Sequence, residues 1–259
     1  MMKGNEILDF LETQYPSKYA MEWDNVGLLI GRRDFDIKTV YVAIDANDNI
    51  IEDAIRHQAD LLITHHPLIF SPLKKINDQN FISKRVLSLI EHGISLYAMH
   101  TNYDVLRMGN LAAERIGLQK KSPLEITDVI SNKGIGQIGR LSASCTLKEL
   151  SEFVKNKFHL EGVCVFGDLD DVVEHIAISP GAGNSMISHA LHEKADVLIT
   201  GDISHHNGID AVAQGLSIID AGHYGIEHIF IKDVAENIEN NFKDIKVIQE
   251  AIQHPFTII

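Results

Sequence analysis

The sequence predicts an α/β protein made of two related lobes with mixed or mainly parallel sheets. Three observations carry that prediction. Apolar runs of strand length alternate with amphipathic stretches of helix length, the rhythm of a parallel sheet. Ala59-Asp60-Leu61-Leu62-Ile63-Thr64 returns as Ala195-Asp196-Val197-Leu198-Ile199-Thr200, an internal duplication at a longer period than solenoid repeats show. Each half also ends a strand with a His-x3-acid pair, His100 to Asp104 and His223 to Glu227. The first lobe is expected over residues 1–125 and the second over 126–226, with 227–259 returning to the first.

Taken in order, residues 5–14 read as a helix with Ile7, Leu8, Phe10 and Leu11 inward, stopped before Pro16. Trp23-Asp24-Asn25-Val26-Gly27 is a polar turn into a short strand, with Asp24 and Asn25 read either as approaching a site or, in preference, as bonding within the turn. Strands are expected at Thr39 to Ile44, Leu61 to Thr64 and Ile94 to Met99, with helices at 49–57, 80–92 and 109–116. From 123 to 134 periodicity fades, which predicts a connection. Gly134-Ile135-Gly136-Gln137-Ile138-Gly139 matches a dinucleotide fingerprint by letter, but a strand follows where a helix should open, so that reading is rejected. Thr146-Leu147-Lys148-Glu149 is a capping box for a helix to Phe158. Strands at Val163 to Phe166, Glu174 to Ser179, Ala195 to Thr200 and Leu216 to Ala221 follow, with a helix at 184–193, a final helix near 227–240 and a last strand at Lys246-Val247-Ile248.

A chain of 259 residues can bury real cores, and its charge of −13 argues against broad nucleic-acid or anionic-membrane binding. Lys74-Lys75 and Lys120-Lys121 read as solvated faces. The amphipathic, acidic start at Met1 to Leu11 has no apolar core of signal-peptide length, and no run approaches a membrane span, so the cytoplasm is the default location. Cys145 and Cys164 read as small core residues, with nothing basic arranged to activate either.

The chemistry gathers at strand ends. Asp60 to Phe70 delivers His65 and His66 from a buried strand, with Pro67 keeping the chain extended beyond them. Alternation along an extended backbone turns the two imidazoles to opposite sides, a geometry suited to two ions side by side. Taken alone the pair reads equally as a metal site or as two loop histidines. The His-x3-acid spacing places imidazole and carboxylate one helical turn apart, and its duplication favours a metal centre. Nitrogen and oxygen donors without thiolate suit zinc, iron or manganese. Two divalent ions facing only two carboxylates leave a net positive site that would take an anionic substrate. Pro180-Gly181-Ala182-Gly183-Asn184-Ser185 reads either as a phosphate cradle or as a tight turn with a cap. His205 and His206 read either as acid/base groups or as surface histidines.

These residues resemble the Nif-three-like proteins, homologues of GTP cyclohydrolase type 2. Trp23-Asp24-Asn25-Val26-Gly27, Thr64-His65-His66-Pro67, His100-Thr101-Asn102-Tyr103-Asp104, Thr200-Gly201-Asp202 and Gly222-His223-Tyr224-Gly225-Ile226-Glu227 fall in family order across essentially the whole chain. The resemblance implies a dinuclear site in a cleft between two α/β lobes. His65, Asp104 and Glu227 would bind one ion, and His66, His223 and a bridging Glu227 the other. His100 would support the site or shuttle protons. The resemblance also implies a homohexamer. Two departures stand out: the chain has no room for the domain that longer relatives insert, and Asp202 stands where the family more usually has Glu. The expected activity is hydrolysis of a nucleotide or phosphorylated small molecule, GTP among them, with His100 and His206 as proton carriers. The alternative is a non-enzymatic metal-binding or regulatory protein acting as an oligomeric interaction platform.

Overall fold

The computed structural model describes residues 2–257. Met1 and the last two residues of the C-terminal segment lie outside the described residues. The chain divides into two compact units, one running to Tyr103 and resuming over Phe230–Ile252, the other formed by Asp104–Ile229 and the segment from Gln253.

In chain order the elements begin with β1 (Met2–Lys3), α1 (Gly4–Gln14), a 3-10 turn (Ser17–Tyr19), β2 (Gly27–Ile30), β3 (Asp36–Ile37) and β4 (Thr39–Ala43). They continue with α2 (Asp48–Arg56), β5 (Leu61–Thr64), α3 (Phe81–Glu91), β6 (Ser95–Ala98) and α4 (Thr101–Tyr103). A π-helical turn (Asp104–Met108) leads to α5 (Gly109–Arg115), β7 (Gln119–Asp128), β8 (Lys133–Thr146), α6 (Leu147–Lys157), β9 (Cys164–Phe166) and β10 (Val172–Ala182). After these come α7 (Met186–His192), β11 (Val197–Gly201), α8 (His205–Ala213), β12 (Ser217–Asp220), α9 (His223–Glu227), α10 (Ile229–Asn241) and β13 (Lys246–Gln249).

Both main sheets are mixed. The first has the order β13-β4-β5-β6-β2, parallel except for β2, which closes antiparallel on β6. The second has the order β7-β8-β10-β11-β12-β9, with β10, β11 and β12 parallel and β9 closing antiparallel on β12. Thus β4-β5-β6-β2 and β10-β11-β12-β9 are the same arrangement built twice. The duplication extends to individual hydrogen bonds. Asp60 Oδ2 accepts from the backbone N–H of Lys38 and Thr39 at 2.7 and 2.9 Å. Asp196 Oδ2 accepts from those of Glu174 and His175, both at 2.8 Å. In each unit the aspartate fastens the start of one parallel strand to the next.

Buried β-branched and leucine side chains explain the sheets. Tyr41, Leu62 and Leu96 pack against Ile50, Ile51 and Ala54 of α2 and Val86 and Leu89 of α3. Ala177, Leu198 and Ile218 pack against Met186, Ile187 and Ala190 of α7 and Ala211 of α8. The helices begin where their caps say. Asn47 accepts from Ile50 N at 3.0 Å, Asn80 accepts from Ile82 N and Ser83 N, and Thr146 and Glu149 complete a capping box.

Two readings of the sequence change. Residues 123–134, read as a connection, lie on β7, on the start of β8 and in the turn joining them, an antiparallel pair. Gly134 to Gly139 sits inside β8, in keeping with the rejected dinucleotide reading. Cys145 is part-buried and Cys164 exposed, so neither is a core residue. Both are free thiols, Cys164 on the edge strand β9 and Cys145 near the end of β8. Among the described residues, no helix is long and apolar enough to cross a membrane.

Candidate metal centre

In the first unit β5 and β6 are parallel neighbours, so the segments leaving their C-terminal ends emerge side by side. His65 and His66 leave β5 and His100 leaves β6, and ligand-capable atoms of the three all lie within 4.8 Å of one another. Strand alternation predicts that His65 and His66 diverge. They converge because β5 ends at Thr64, whose Oγ1 donates to the His66 carbonyl at 2.8 Å and turns the chain there. Their ring centroids are 4.9 Å apart.

Each ring is held through Nδ1. His65, fully buried, donates to the Met99 carbonyl at 2.8 Å. His66 donates to Asp45 Oδ1 and His100 to Asp24 Oδ1, both at 2.9 Å. A carbonyl or carboxylate oxygen only accepts, so Nδ1 carries the proton and Nε2 is the lone-pair nitrogen. Metal-binding imidazoles have the same tautomer, with Nδ1–H held by an oxygen in the same way.

Asp24 is not the self-contained turn residue the sequence suggests. Its side chain is buried, and it accepts from His100, from Thr101 N at 3.0 Å and from Thr101 Oγ1. Burial alone would raise its pKa, but the hydrogen bonds from His100 and Thr101 outweigh it and bring the carboxyl down to about 2. The charge behind His100 is therefore permanent at physiological pH. Glu250, immediately after β13, accepts from Ile44 N at 2.9 Å and so steadies the backbone that carries Asp45. A cavity of about 340 Å³ opens beside His66, with Asp45, Asn47, Pro67, Leu68, Ile82 and Arg85 in its lining.

In the second unit β12 ends at Asp220, Gly222 takes a positive φ of 76°, and α9 begins with His223. One turn later comes Glu227, buried, with Oε2 3.0 Å from His223 Nε2. Asp202, beyond β11, accepts from His223 Nδ1 at 2.9 Å. With that proton placed, Nε2 and a carboxylate oxygen face each other as two electron-pair donors, a pairing that calls for a shared positive charge, proton or metal ion. Gly181, at φ +86° near the end of β10, makes the room: a Cβ there would sit 2.6 Å from Glu227 Oε1.

Asp104 opens the π-helical turn and is part-buried; such turns recur at functional sites. His206 is exposed in the first turn of α8, its ring 5.2 Å from that of His205. The Gly-rich segment forms a tied turn and no open cradle. Gly183 N donates to the Gly201 carbonyl at 2.8 Å, Asn184 Nδ2 donates to the Asp202 carbonyl at 3.0 Å, and Asn184 Oδ1 accepts from Ser204 N at 3.1 Å.

Sequence reasoning missed Asp45, preferred a self-bonded turn for Asp24, read Gly181 only as part of a cradle or turn, and left Asp202 without a role. One signal was available for two of them. Asp45 and Asp202 each follow the end of one parallel strand, and their histidine partners follow the end of the next, 21 residues later in both units.

A duplicated mixed sheet defines a two-unit α/β protein, and in the first unit His65, His66 and His100 form a group that could hold a metal ion. The model of the Duf34/NIF3 (NGG1p interacting factor 3) family matches residues 2–255, and the chain belongs to that family. It is 31% identical over 262 residues to a Clostridium perfringens protein named GTP cyclohydrolase 1 type 2 homolog, covering 100% of both chains. The Bacillus subtilis protein of the same name is 26% identical over 370 positions, covering 100% of this chain and 99% of that one, so that relative carries inserted length. Among solved structures, HcgD from Methanocaldococcus jannaschii, in its reduced form, is 33% identical with a TM-score of 0.83, covering 95% of this chain and 97% of that one. Protein SA1388 of Staphylococcus aureus is 28% identical with a TM-score of 0.91, covering 100% and 99%.

Proposed function

We propose that this chain is a metal-dependent hydrolase acting on a nucleotide or phosphorylated small molecule, using two divalent ions of the zinc, iron or manganese type. His65, His66, Asp104, His223 and Glu227 are the proposed ligands, with His100 and His206 as proton carriers. The observation that carries this reading is the repeated anchoring of Nδ1: Asp45 holds His66, Asp24 holds His100 and Asp202 holds His223, each at 2.9 Å. Three separate carboxylates spent on fixing imidazole tautomers serve ligation or proton transfer, whereas structural histidines need no such uniform treatment.

When bound, such ions lower the pKa of water and polarise phosphoryl or carbonyl oxygens. The chain's own contribution is orientation. Asp24, charged at all physiological pH values, keeps the proton on Nδ1 of His100, so that Nε2 is the nitrogen that accepts a proton from the reacting water. The cavity beside His66 has room for part of a small molecule, and Arg85, whose Nε donates to Asp48 Oδ1 at 2.8 Å, is in its lining. The relatives named GTP cyclohydrolase 1 type 2 homolog make GTP the first substrate to try, with formate as the product of opening its imidazole ring.

The test begins with elemental analysis of protein purified without chelators or a metal-affinity tag. About two transition-metal ions per chain, falling sharply in Glu227→Ala, followed by turnover of GTP or of phosphoesters that the variant loses, is the expected result. Little metal after reconstitution would overturn the reading. The family's description as an interacting factor favours the alternative of a non-enzymatic, oligomeric metal-binding platform, which predicts full metal content with no turnover of any substrate in the panel.

A further inference from the structure

Trp23 is the one tryptophan of the chain, and 59% of it is exposed. Beside it Phe70 is 55% exposed, with ring centroids 5.7 Å apart. Large aromatic rings normally bury their faces, so two held together in water need a reason. The chain next to each ring is tied down by hydrogen bonds. Asp24, the residue after Trp23, is buried against His100 and Thr101, and Met21 N donates to Thr101 Oγ1 at 2.9 Å. Asn25 Nδ2 donates to the carbonyl of Ile69, which ties the turn carrying Trp23 to the residue before Phe70. The Trp23 ring also lies 6.0 Å from the ring of His100, edge to face. An exposed aromatic pair is therefore fixed against one of the three clustered histidines by the same buried aspartate that orients that histidine.

We infer that Trp23 and Phe70 are a stacking seat for the planar heterocycle of a nucleoside-type ligand whose remaining part reaches the histidine cluster. The inference deepens the proposed function and rests on it for the identity of the cluster as a reaction centre. The placement favours a flat ring over a protein partner. The exposed rings, tilted at 48° with centroids 5.7 Å apart, pack on each other beside His100 and leave their outer faces for a single planar ring to stack on. Aromatic faces carry little hydrogen-bonding specificity, so the seat accepts purines and pyrimidines alike and leaves selectivity to other contacts.

The experiment uses the full-length, metal-loaded protein. Trp23 is its own reporter, so guanosine, adenosine and cytidine are titrated against intrinsic fluorescence, with ribose 5-phosphate as the ligand lacking a ring. Calorimetry repeats the titrations on Trp23→Leu, Phe70→Leu and the conservative Trp23→Phe, after metal content and thermal midpoint are shown to match the wild type. The expected result is saturable quenching by the nucleosides and none by ribose 5-phosphate. Trp23→Leu should weaken nucleoside binding by about 5- to 150-fold, the range for loss of one base–aromatic stack, and Trp23→Phe should recover most of it. Nucleosides that quench no more than ribose 5-phosphate, or wild-type nucleoside affinity in Trp23→Leu, would overturn the inference. So would a change in Trp23→Leu confined to oligomer size by light scattering, which would assign the rings to a second copy of the chain. Quenching that persists in a protein without turnover removes the hydrolase reading and keeps the seat. Turnover unaffected by Trp23→Leu and Phe70→Leu removes the seat and keeps the hydrolase.

Discussion

Gly181→Ala separates metal binding from stability. The added Cβ would lie 2.6 Å from Glu227 Oε1, where ordinary contact begins near 3.4 Å, so the oxygen must withdraw by about 0.8 Å. The carboxylate is the far end of a rotatable side chain, so the overlap is relieved cheaply for the fold. It is not cheap for a ligand, because metal–oxygen bonds are only roughly 2.0–2.2 Å long. The left-handed backbone, φ +86°, adds about 1–2 kcal/mol of strain for any residue with a Cβ. Gly215→Ala is the matching control: φ is +89° and nothing lies within 4 Å of the new Cβ, so it carries the strain without the displacement. Urea unfolding of the metal-free proteins should show similar losses of about 1–2 kcal/mol in both variants. Competition with a chromogenic chelator should show metal affinity reduced by at least about 10-fold in Gly181→Ala alone. Equal metal affinity in the two variants would refute the assignment of Glu227 as a ligand placed by the gap at Gly181.

Asp45→Ala should lower metal affinity by about 10- to 100-fold with little change in the urea midpoint, since Asp45 is half exposed and its one hydrogen bond orients His66; unchanged affinity in the chelator competition would remove that orienting role. His228 is buried, and burial followed by the nearby Arg115 charge lowers its pKa from 6.5 to about 4. The unfolded state therefore binds the proton first as pH falls, so this histidine's contribution is complete above about pH 6.5 and is lost progressively down to about pH 4, roughly 3 kcal/mol in all. Urea midpoints of His228→Leu should fall less steeply than those of the wild type across that window, and parallel slopes would contradict the linkage. Asp60→Ala and Asp196→Ala each strip two backbone N–H groups of their acceptor and should destabilise by a similar amount, about 1–3 kcal/mol, by chemical denaturation; a cost at only one of the two positions would show that the duplicated bonds no longer do equivalent work.

The strands β4, β5, β6, β10, β11 and β12 were legible because burial on both faces leaves continuous apolar runs, and the duplication was legible because each unit repeats the same aspartate before such a run. The β7–β8 pair was not. Much of β7 is exposed or half-buried, its Lys120, Lys121, Ser122, Glu125 and Thr127 mimic a loop, and among the described residues its one strand partner is the neighbouring β8. His65, His66, His100, His223 and Glu227 stood out by type and spacing. Their carboxylate partners did not, since Asp24 and His100 lie 76 residues apart and meet only through the fold. Gly181 was visible only as part of a phosphate-cradle pattern, because what a missing side chain makes room for depends on the residue across from it.

The pairing of β13 with β4 has a consequence for biogenesis. The sheet that carries His65, His66 and His100 takes one edge strand, residues Lys246–Gln249, from beyond the whole of the second sheet in sequence. As the chain leaves the ribosome, β4, β5 and β6 are present early, yet β4 keeps an open hydrogen-bonding edge until β13, which follows the whole of the second sheet in sequence, has been made. The sheet that carries Glu227, built from β7 to β12, is contiguous and is complete before that strand arrives. The earlier-synthesised sheet is thus the later one to close, and during that interval its bare β4 edge is the place where a newborn chain is open to pairing with another.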